Sequence, residues 1–449
     1  GGIYRDIYLE ICPNVHVVRA DINPLNLETN NHKTGNIELE VDTTIKTVGR
    51  DSETEDNEYL LSLAFYALNF SDENELKDRA SWKFANKSLK PPIIGETTTI
   101  IGEYDSLILG EKLPYNAKKF RISVQNINFW STKSPSLYLL EINVTHNGIT
   151  DVFTTQTGFR TFNVEEDDIL LNQFPLFLAG NSYHEEYPGA GRALDDERRY
   201  QDLQLIQQNL SSNFLRTHYP LHPFNYLLAD RLGLACWVEN PVYWFNEIHF
   251  ATAEVRNSYY AMFIEMIYRD FNRPSILFWS AANEPWSQDL LEIYLENLRE
   301  MQEKLDPSRI LAFASASPHL TDFGHRKLEM VTPNTYWGTF EGEFGEFSKG
   351  TEYAVETLTK NNPEKPILSM EFGLWRSAGE DVQVKCFLNT TSTLLGYDHI
   401  VGFTHWIAFD YHGNDYYNSM GAINIERNWS APVADYMHDV YHKVTENNL

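Results

Sequence analysis

The spacing of apolar residues changes near residue 170, and this change constrains the fold of the 449-residue chain more than any other feature. Before it, short stretches alternate apolar with polar residues, as in NIELEVDTT at residues 36–44. A period of two is typical of strands that bury one face. Six or seven such stretches without a convincing helix predict an antiparallel immunoglobulin-like β-sandwich over residues 13–165.

After residue 170, short apolar runs alternate with segments of helical period. In one such segment Phe224, Leu227, Leu228 and Leu232 share a helical face, and Gly233 is expected to end the helix. Eight strand candidates over about 280 residues match a (β/α)8 barrel in number and length. The sequence therefore predicts a TIM barrel over residues 166–449.

Two strand candidates end on carboxylates. The run LFWSAANEPW at residues 277–286 closes the fourth strand with Asn283 and Glu284, and the seventh, PILSMEFG, ends near Glu371. The active site of such a barrel lies at the carboxyl ends of its strands. A lone glutamate there is usually a solvated rim residue, but two across one barrel mouth can cleave a glycosidic bond.

Composition excludes several other functions. A net charge of −27 disfavours nucleic acid and anionic membrane surfaces and suits a neutral or weakly charged substrate. The three cysteines have no CxxC spacing, which excludes a disulfide scaffold and a cysteine-based zinc site. We find no transmembrane run of about 18 apolar residues and no signal peptide.

Five motifs resemble, in order, those of glycoside hydrolase family 2, the retaining β-galactosidases, β-glucuronidases and β-mannosidases. They are GNSYHEE, RTHYP, WSAANEP, NTYWG and SMEFG, and GFRTF and FWSTKSPSLYLLEI extend the resemblance before the barrel. The resemblance implies that Glu284 is the general acid and base and that Glu371 is the nucleophile that forms a covalent glycosyl-enzyme. An acid that keeps its proton near neutral pH should have a pKa raised by burial and by the neighbouring carboxylate.

The same resemblance implies further site residues. Asn283 should hold the sugar's 2-hydroxyl, and Tyr336 should donate to the nucleophile. Arg216 either braces the carboxylates or contacts substrate, and Trp406 either floors the sugar pocket or belongs to the barrel core. For Trp337 and His405 a structural role is as good an interpretation as a functional one. The remaining residues expected to line the pocket are His184, Glu185, Glu186 and His218.

Metal and sugar preferences follow from absent residues. HEE is not a zinc motif and isolated acidic residues rarely form a site, so we predict no required metal or other cofactor. Met420 stands where β-glucuronidases carry a lysine that neutralises the substrate carboxylate, and Leu374 replaces a histidine of β-galactosidases. Both differences argue against the respective sugar, so the frequency of β-galactosidases in the family alone leads us to expect a β-galactoside first, with β-glucuronidase or β-mannosidase-like specificity as the alternative.

The opening GGIYRDIYLE resembles the closing strand of an N-terminal jelly-roll sugar-binding domain. We therefore expect residues 1–12 to be a remnant strand of a missing domain, and the piece to have low activity. A catalytically weak carbohydrate-binding fragment and an inverting hydrolase remain alternatives to the retaining enzyme. The substrate would be an oligosaccharide, polysaccharide or small glycoside. A homo-oligomer is possible, and the compartment, cytoplasmic or periplasmic, is not determined.

Overall fold

The computed structural model describes residues 5–31, 33–47, 60–85, 98–103, 115–287, 289–316, 324–413 and 416–446. The chain forms two compact units. The first comprises Gly1–Thr161 with Asp270–Pro274, and the second comprises Phe162–Arg269 with Ser275–Leu449. The first unit passes into the second between Thr161 and Phe162. The boundary predicted between residues 165 and 166 lies four residues further along the chain.

The first unit is a β-sandwich. Its strands are β1 (Val15–Asn31), β2 (Thr34–Thr47), β3 (Leu60–Ala67), β4 (Thr98–Glu103), β5 (Tyr115–Asn128), β6 (Tyr138–His146) and β7 (Ile149–Thr157). One sheet has the order β1-β2-β5-β4 and the other β3-β6-β7, and all neighbours are antiparallel. Alternate residues such as Ile37, Leu39 and Val41 on β2 join Phe65 and Leu140 of the other sheet in one buried core. The period of two in the sequence therefore corresponds to the buried face.

Two segments of this unit differ from the prediction. A short helix, α1 (Glu73–Lys77), and a 3-10 turn at Ser81–Phe84 follow β3 where no helix was expected. The Asp72 side chain accepts from the backbone N–H groups of Asn74 and Glu75, which caps the helix at its first turn. Residues 5–12, expected to be a remnant strand, contain no strand. Their origin in a missing domain stays a prediction.

The second unit begins with an antiparallel three-stranded sheet and continues as a barrel. The three strands are β8 (Phe162–Glu165), β9 (Asp168–Leu171) and β10 (Phe174–Pro175). The parallel barrel strands are β11 (Leu178–Tyr183), β12 (Phe214–Thr217), β13 (Ala235–Glu239), β14 (Ile276–Asn283), β15 (Ile310–Ala314), β16 (Ile367–Phe372) and β17 (Ile400–His405). A short antiparallel pair follows the last barrel strand; its strands, of two residues each, are β18 (Tyr411–His412) and β19 (Tyr417–Asn418).

Helices separate most of the barrel strands. They are α2 (Asp196–Gln204, continued by a π-helical turn at Leu205–Asn209), α3 (Pro223–Leu232), α4 (Glu247–Ala251), α5 (Ala253–Asp270), α6 (Asp289–Leu305), α7 (Phe347–Asn361), α8 (Glu380–Leu394) and α9 (Val433–Glu446), with 3-10 turns at His325–Lys327 and Arg376–Ala378. Helix α3 ends as predicted, because Gly233 adopts the left-handed conformation at φ 73°. Within the described part of the chain, no helix is long and apolar enough to cross a membrane.

The barrel sheet has the order β15-β14-β13-β12-β11-β17-β16. The sixth predicted strand, MVTPNTYW, forms only isolated parallel bridges, from Pro333 to Ser315 on one side and from Asn334 to Glu371 on the other. Pro333 lacks the N–H that a ladder needs, which is one reason that this segment does not form a continuous strand. The segment therefore lies between β15 and β16, in the place of the predicted sixth strand. The predicted β-sandwich and TIM barrel are confirmed.

Candidate active site

Glu371 lies at the carboxyl end of β16 and is 5% exposed. Its Oε1 accepts a hydrogen bond from Nη1 of Arg216, and its Oε2 accepts one from the Tyr336 hydroxyl at 2.7 Å. Each carboxylate oxygen therefore has a donor from a different strand or loop of the barrel. Donors of this kind stabilise the ionised carboxylate.

The pKa of Glu371 is raised to about 7, because burial and the charge of Glu284 raise it by more than Arg216 and the Tyr336 hydrogen bond lower it. The carboxyl group therefore titrates near neutral pH. A group poised in this way inside a barrel mouth is a candidate for catalysis.

Arg216, on β12, connects three side chains. Besides Glu371, its Nη2 donates to Glu239 at 3.1 Å and to Oδ1 of Asn283 at 2.8 Å. The side chain is fully buried. Of the two roles open for Arg216, this geometry favours bracing the carboxylates over contact with substrate.

Glu239 ends β13 and was not among the predicted site residues. It is fully buried, and besides Arg216 its Oε2 accepts from Nε1 of Trp237 at 2.9 Å and from Oγ of Ser280 at 3.0 Å. Burial raises the pKa of Glu239, and Arg216 opposes the rise. The stretch WVENP, which resembles the end of the fourth strand in placing a glutamate at a strand end next to Asn and Pro, was the available sequence indication.

Asn283 and Glu284 follow each other at the end of β14, and Asn334 connects them. The Asn334 Nδ2 donates to Oε1 of Glu284 at 2.8 Å and approaches Oδ1 of Asn283 at 3.3 Å. A continuous network thus runs from Glu371 through Arg216, Asn283 and Asn334 to Glu284. Asn334 belongs to the quoted NTYWG motif, but its side chain was not predicted to act.

Glu284 has a second partner from a loop that the sequence did not single out. The indole Nε1 of Trp244, in the segment after β13, donates to Oε2 of Glu284 at 2.7 Å. Both residues have positive φ angles, 52° for Trp244 and 48° for Glu284. Such backbone conformations are uncommon outside glycine and cluster at functional sites.

An aromatic and histidine wall lies beside Arg216. The ring of Trp406 is 5.2 Å from His184 and 5.7 Å from His218, and His184 also contacts Tyr411 at 4.5 Å. Burial, together with the charges of Arg192 and Arg216, lowers the pKa of His184 to about 3. Neutral rings and an indole face form a surface that suits the apolar face of a sugar ring.

Four predicted residues have other partners. Both oxygens of Glu185 accept hydrogen bonds, from Nε of Arg199 at 2.8 Å and from the backbone of His222 at 3.1 Å, and the residue is fully buried. Trp337 packs on Tyr353 of α7. Glu186 accepts from the backbone of His412 at 3.3 Å, and His405 is buried beside Phe372 and Phe387. These contacts favour structural roles for Glu185, Trp337 and His405.

The two positions that bear on sugar preference are both buried. Met420 is 1% exposed and packs with Tyr336, Trp406 and Tyr411, and Leu374 packs with Phe347 and Cys386.

Among the described residues, no group of three or more His, Cys, Asp or Glu is placed to hold a metal ion. The expectation that no metal or other cofactor is required stays a prediction.

Two family models match the chain. "Glycosyl hydrolases family 2, TIM barrel domain" matches residues 162–386, and "Glycosyl hydrolases family 2" matches residues 93–160. Among curated relatives, a Formosa agariphila protein named "Putative beta-glucuronidase" is 26% identical over 83% of this chain and 40% of its own length. A β-glucuronidase of Canis lupus familiaris is 27% identical over 58% of this chain and 42% of its own length. The chain thus spans less than half the length of these relatives.

Solved structures show the same fold. A β-glucuronidase of Bifidobacterium dentium complexed with coumarin-3-O-glucuronide has a TM-score of 0.79 at 20% identity, and covers 96% of this chain and 67% of its own. A GH2 β-galacturonidase of Eisenbergiella tayi has a TM-score of 0.72 at 19% identity, and covers 96% of this chain and 72% of its own. Because the TIM-barrel model alone matches half of the sequence, the chain belongs to glycoside hydrolase family 2.

Proposed function

We propose that this chain carries the catalytic machinery of a retaining exo-acting β-glycosidase, with Glu371 as the nucleophile and Glu284 as the general acid and base. The main support is the hydrogen-bonded network that links the two carboxylates through Arg216, Asn283 and Asn334. Such a pair of carboxylates is the equipment of glycoside hydrolysis. Membership of the family supports the same assignment.

The mechanism takes two steps. The Glu371 carboxylate attacks the anomeric carbon while Glu284 gives its proton to the leaving oxygen, and the glycosidic bond breaks. Glu284 then removes a proton from water, which attacks the same carbon and frees Glu371. Asn283, whose Oδ1 is occupied by Arg216, has its amide N–H groups to offer the 2-hydroxyl.

Covalent trapping tests this proposal. A 2-deoxy-2-fluoro-β-glycoside with a dinitrophenyl leaving group should inactivate the protein and leave a sugar on the peptide that contains Glu371. Glu371→Gln should give no adduct, Glu284→Gln should slow turnover of poor leaving groups, and the exposed Glu343→Gln should match wild type. Release of the inverted anomer without an adduct would establish the inverting alternative. Binding without turnover would establish the carbohydrate-binding one.

For the sugar, we propose a β-glucuronide, in place of the β-galactoside expected from the sequence. The names of the matched relatives support this choice. Met420 argues against it, since no cation occupies that position, and a buried uronate without a cation is costly.

Arg192 is a candidate for the missing cation. Its guanidinium carbon lies 4.3 Å from the Tyr219 ring centre, and its charge contributes, after burial, to the lowered pKa of His184.

A panel of 4-nitrophenyl β-glycosides tests the sugar. We expect the glucuronide to be turned over fastest and Arg192→Gln to raise its KM at least tenfold. Arg198→Gln is the matched control, because Arg198 stacks on Tyr187 in the same segment at 4.1 Å. Preference for the galactoside or mannoside, with no effect of Arg192→Gln, would overturn the uronide proposal and leave the glycosidase proposal standing.

A further inference from the structure

The segment after β13 places two exposed aromatic rings beside Glu284. Tyr243 and Trp244 are 47% and 55% exposed, and their rings stack with centroids 4.8 Å apart and planes at 23°. Large exposed aromatic faces that are held rigidly next to a catalytic candidate are binding surfaces more often than isolated exposed residues are.

Backbone contacts hold this segment against the end of β14. The Trp244 N–H donates to the carbonyl of Asn283 at 3.1 Å, and the Asn283 N–H donates to the carbonyl of Val242 at 2.8 Å. Tyr243 therefore pairs with Asn283 in a parallel bridge. The backbone of residues 243 and 244 cannot move away from Glu284 without breaking these bonds, and the Trp244 ring is held by its own hydrogen bond to Glu284 and by its stacking on Tyr243.

The two rings differ in what they face. Tyr243 meets the edge of His218 at 5.3 Å, on the wall that includes Trp406. Trp244 reaches Glu284 instead, with its Nε1–H on Oε2. In a two-carboxylate glycosidase the acid contacts the glycosidic oxygen, so the groups beyond the acid face the leaving group and not the sugar that is transferred.

We propose that Trp244, stacked on Tyr243, forms the leaving-group subsite, where it both stacks on a six-membered ring borne by the glycosidic oxygen and positions Glu284 through its indole N–H. This inference rests on the proposed glycosidase function. The ring is a pyranose or an aryl group, because either presents a flat face to an indole. The indole N–H on Oε2, together with the Asn334 amide on Oε1, fixes the orientation of the Glu284 carboxyl group.

Two substitutions separate the two roles. Trp244→Phe keeps a ring and removes the N–H donor, while Trp244→Ala removes both. Substrates with one sugar and four leaving groups complete the design: 2,4-dinitrophenyl, which departs without a proton, 4-methylumbelliferyl, methyl, which has no ring, and a second pyranose. Trp82→Phe and Trp82→Ala are matched controls, since Trp82 is equally exposed at 55% in the sandwich.

We expect Trp244→Phe to keep kcat/KM of the dinitrophenyl glycoside within about twofold and to lower kcat/KM of the methyl glycoside and the disaccharide at least tenfold, because kcat/KM reports the step that needs the acid and not the later step in which Glu284 acts as base. Trp244→Ala should in addition raise KM for the ring-bearing leaving groups at least fivefold, but not for the methyl glycoside. The disaccharide and methylumbelliferyl arms show which kind of ring is preferred.

Equal losses on all four substrates, or losses matched by the Trp82 variants, would overturn the subsite. Wild-type protein that turns over none of the substrates, including the dinitrophenyl glycoside that needs no acid, would instead overturn the glycosidase proposal and the subsite with it. The two failures are therefore distinguishable.

Discussion

The guanidinium of Arg216 lies between Glu371 and Glu239 and donates to both, from a position that is completely buried. One cation thus compensates two carboxylates that lie on strands β16 and β13. Removing one partner of a buried ionic cluster leaves the others uncompensated, which costs far more than the cluster contributes when it is intact.

Arg216→Met should therefore destabilise the protein by about 3–5 kcal/mol. Urea denaturation at pH 8 measures the change in the free energy of unfolding. The double variant Arg216→Met with Glu239→Gln should recover part of the loss, because it removes one of the unpaired charges. A single variant within about 0.5 kcal/mol of wild type, the range of ordinary surface substitutions, would show that the cluster is not energetically coupled.

The acid limb of the pH profile should follow Glu371. As the proposed nucleophile, Glu371 must be ionised, and its pKa is raised to about 7 mainly by burial, so kcat/KM should fall as the pH drops through about 7. Tyr336→Phe removes a donor that lowers this pKa, and the limb should therefore move to higher pH. The measurement is kcat/KM from pH 5 to 9.

Tyr441→Phe is the control for this shift, since the Tyr441 hydroxyl donates to the carbonyl of Gly180 and not to Glu371. It should keep the wild-type limb. A limb that stays in place or moves to lower pH in Tyr336→Phe would contradict the assignment of the titrating group.

Asn334→Ala should lower kcat for substrates with poor leaving groups by about 10- to 100-fold, part of what general acid catalysis contributes. The reason is that the Asn334 amide donates to the carboxyl group of Glu284 and to the side chain of Asn283, and so holds the proposed acid in place. The kcat/KM of a dinitrophenyl glycoside, which reports only the first step and needs no acid, should change much less. Asn297→Ala, which removes an amide that donates to Tyr260 on the helical layer, should leave both substrates unaffected.

His405 should make the protein less stable in acid. Burial lowers its pKa to about 3 in the folded chain, from 6.5 in an unfolded one. Below pH 6.5 the unfolded chain therefore binds a proton that the folded chain does not, and stability falls with pH by about 1.4 kcal/mol per unit until about pH 3. The stability that is lost in acid through His405 is fully present above pH 6.5.

The unfolding free energy of His405→Phe, measured between pH 4 and 6, should have a slope smaller by about one proton. His442→Phe, at an exposed position, is the control and should keep the wild-type slope. Identical slopes for wild type and His405→Phe would contradict the buried neutral histidine.

Much of the fold could be predicted because it depends on local pattern. The period of two on β2, the helical face of α3 with Gly233 after it, and the apolar run of β14 each describe which side of one element is buried. Parallel strands of a barrel also end at the same edge, so Glu284 and Glu371 could be placed together before any contact was known. The sixth segment was predicted as a continuous strand but forms only isolated bridges, because Pro333 lacks the N–H that a continuous ladder needs.

The sequence by itself determined the two-unit architecture, the barrel and the pair of strand-end carboxylates. Only the tertiary structure decided that Arg216 braces carboxylates, that Glu185 pairs with Arg199, and that Trp244 reaches Glu284. Local spacing governs which face of an element is buried, whereas these pairs join side chains from different elements. Their partners depend on loop path and rotamer within the assembled barrel, and no local pattern encodes those.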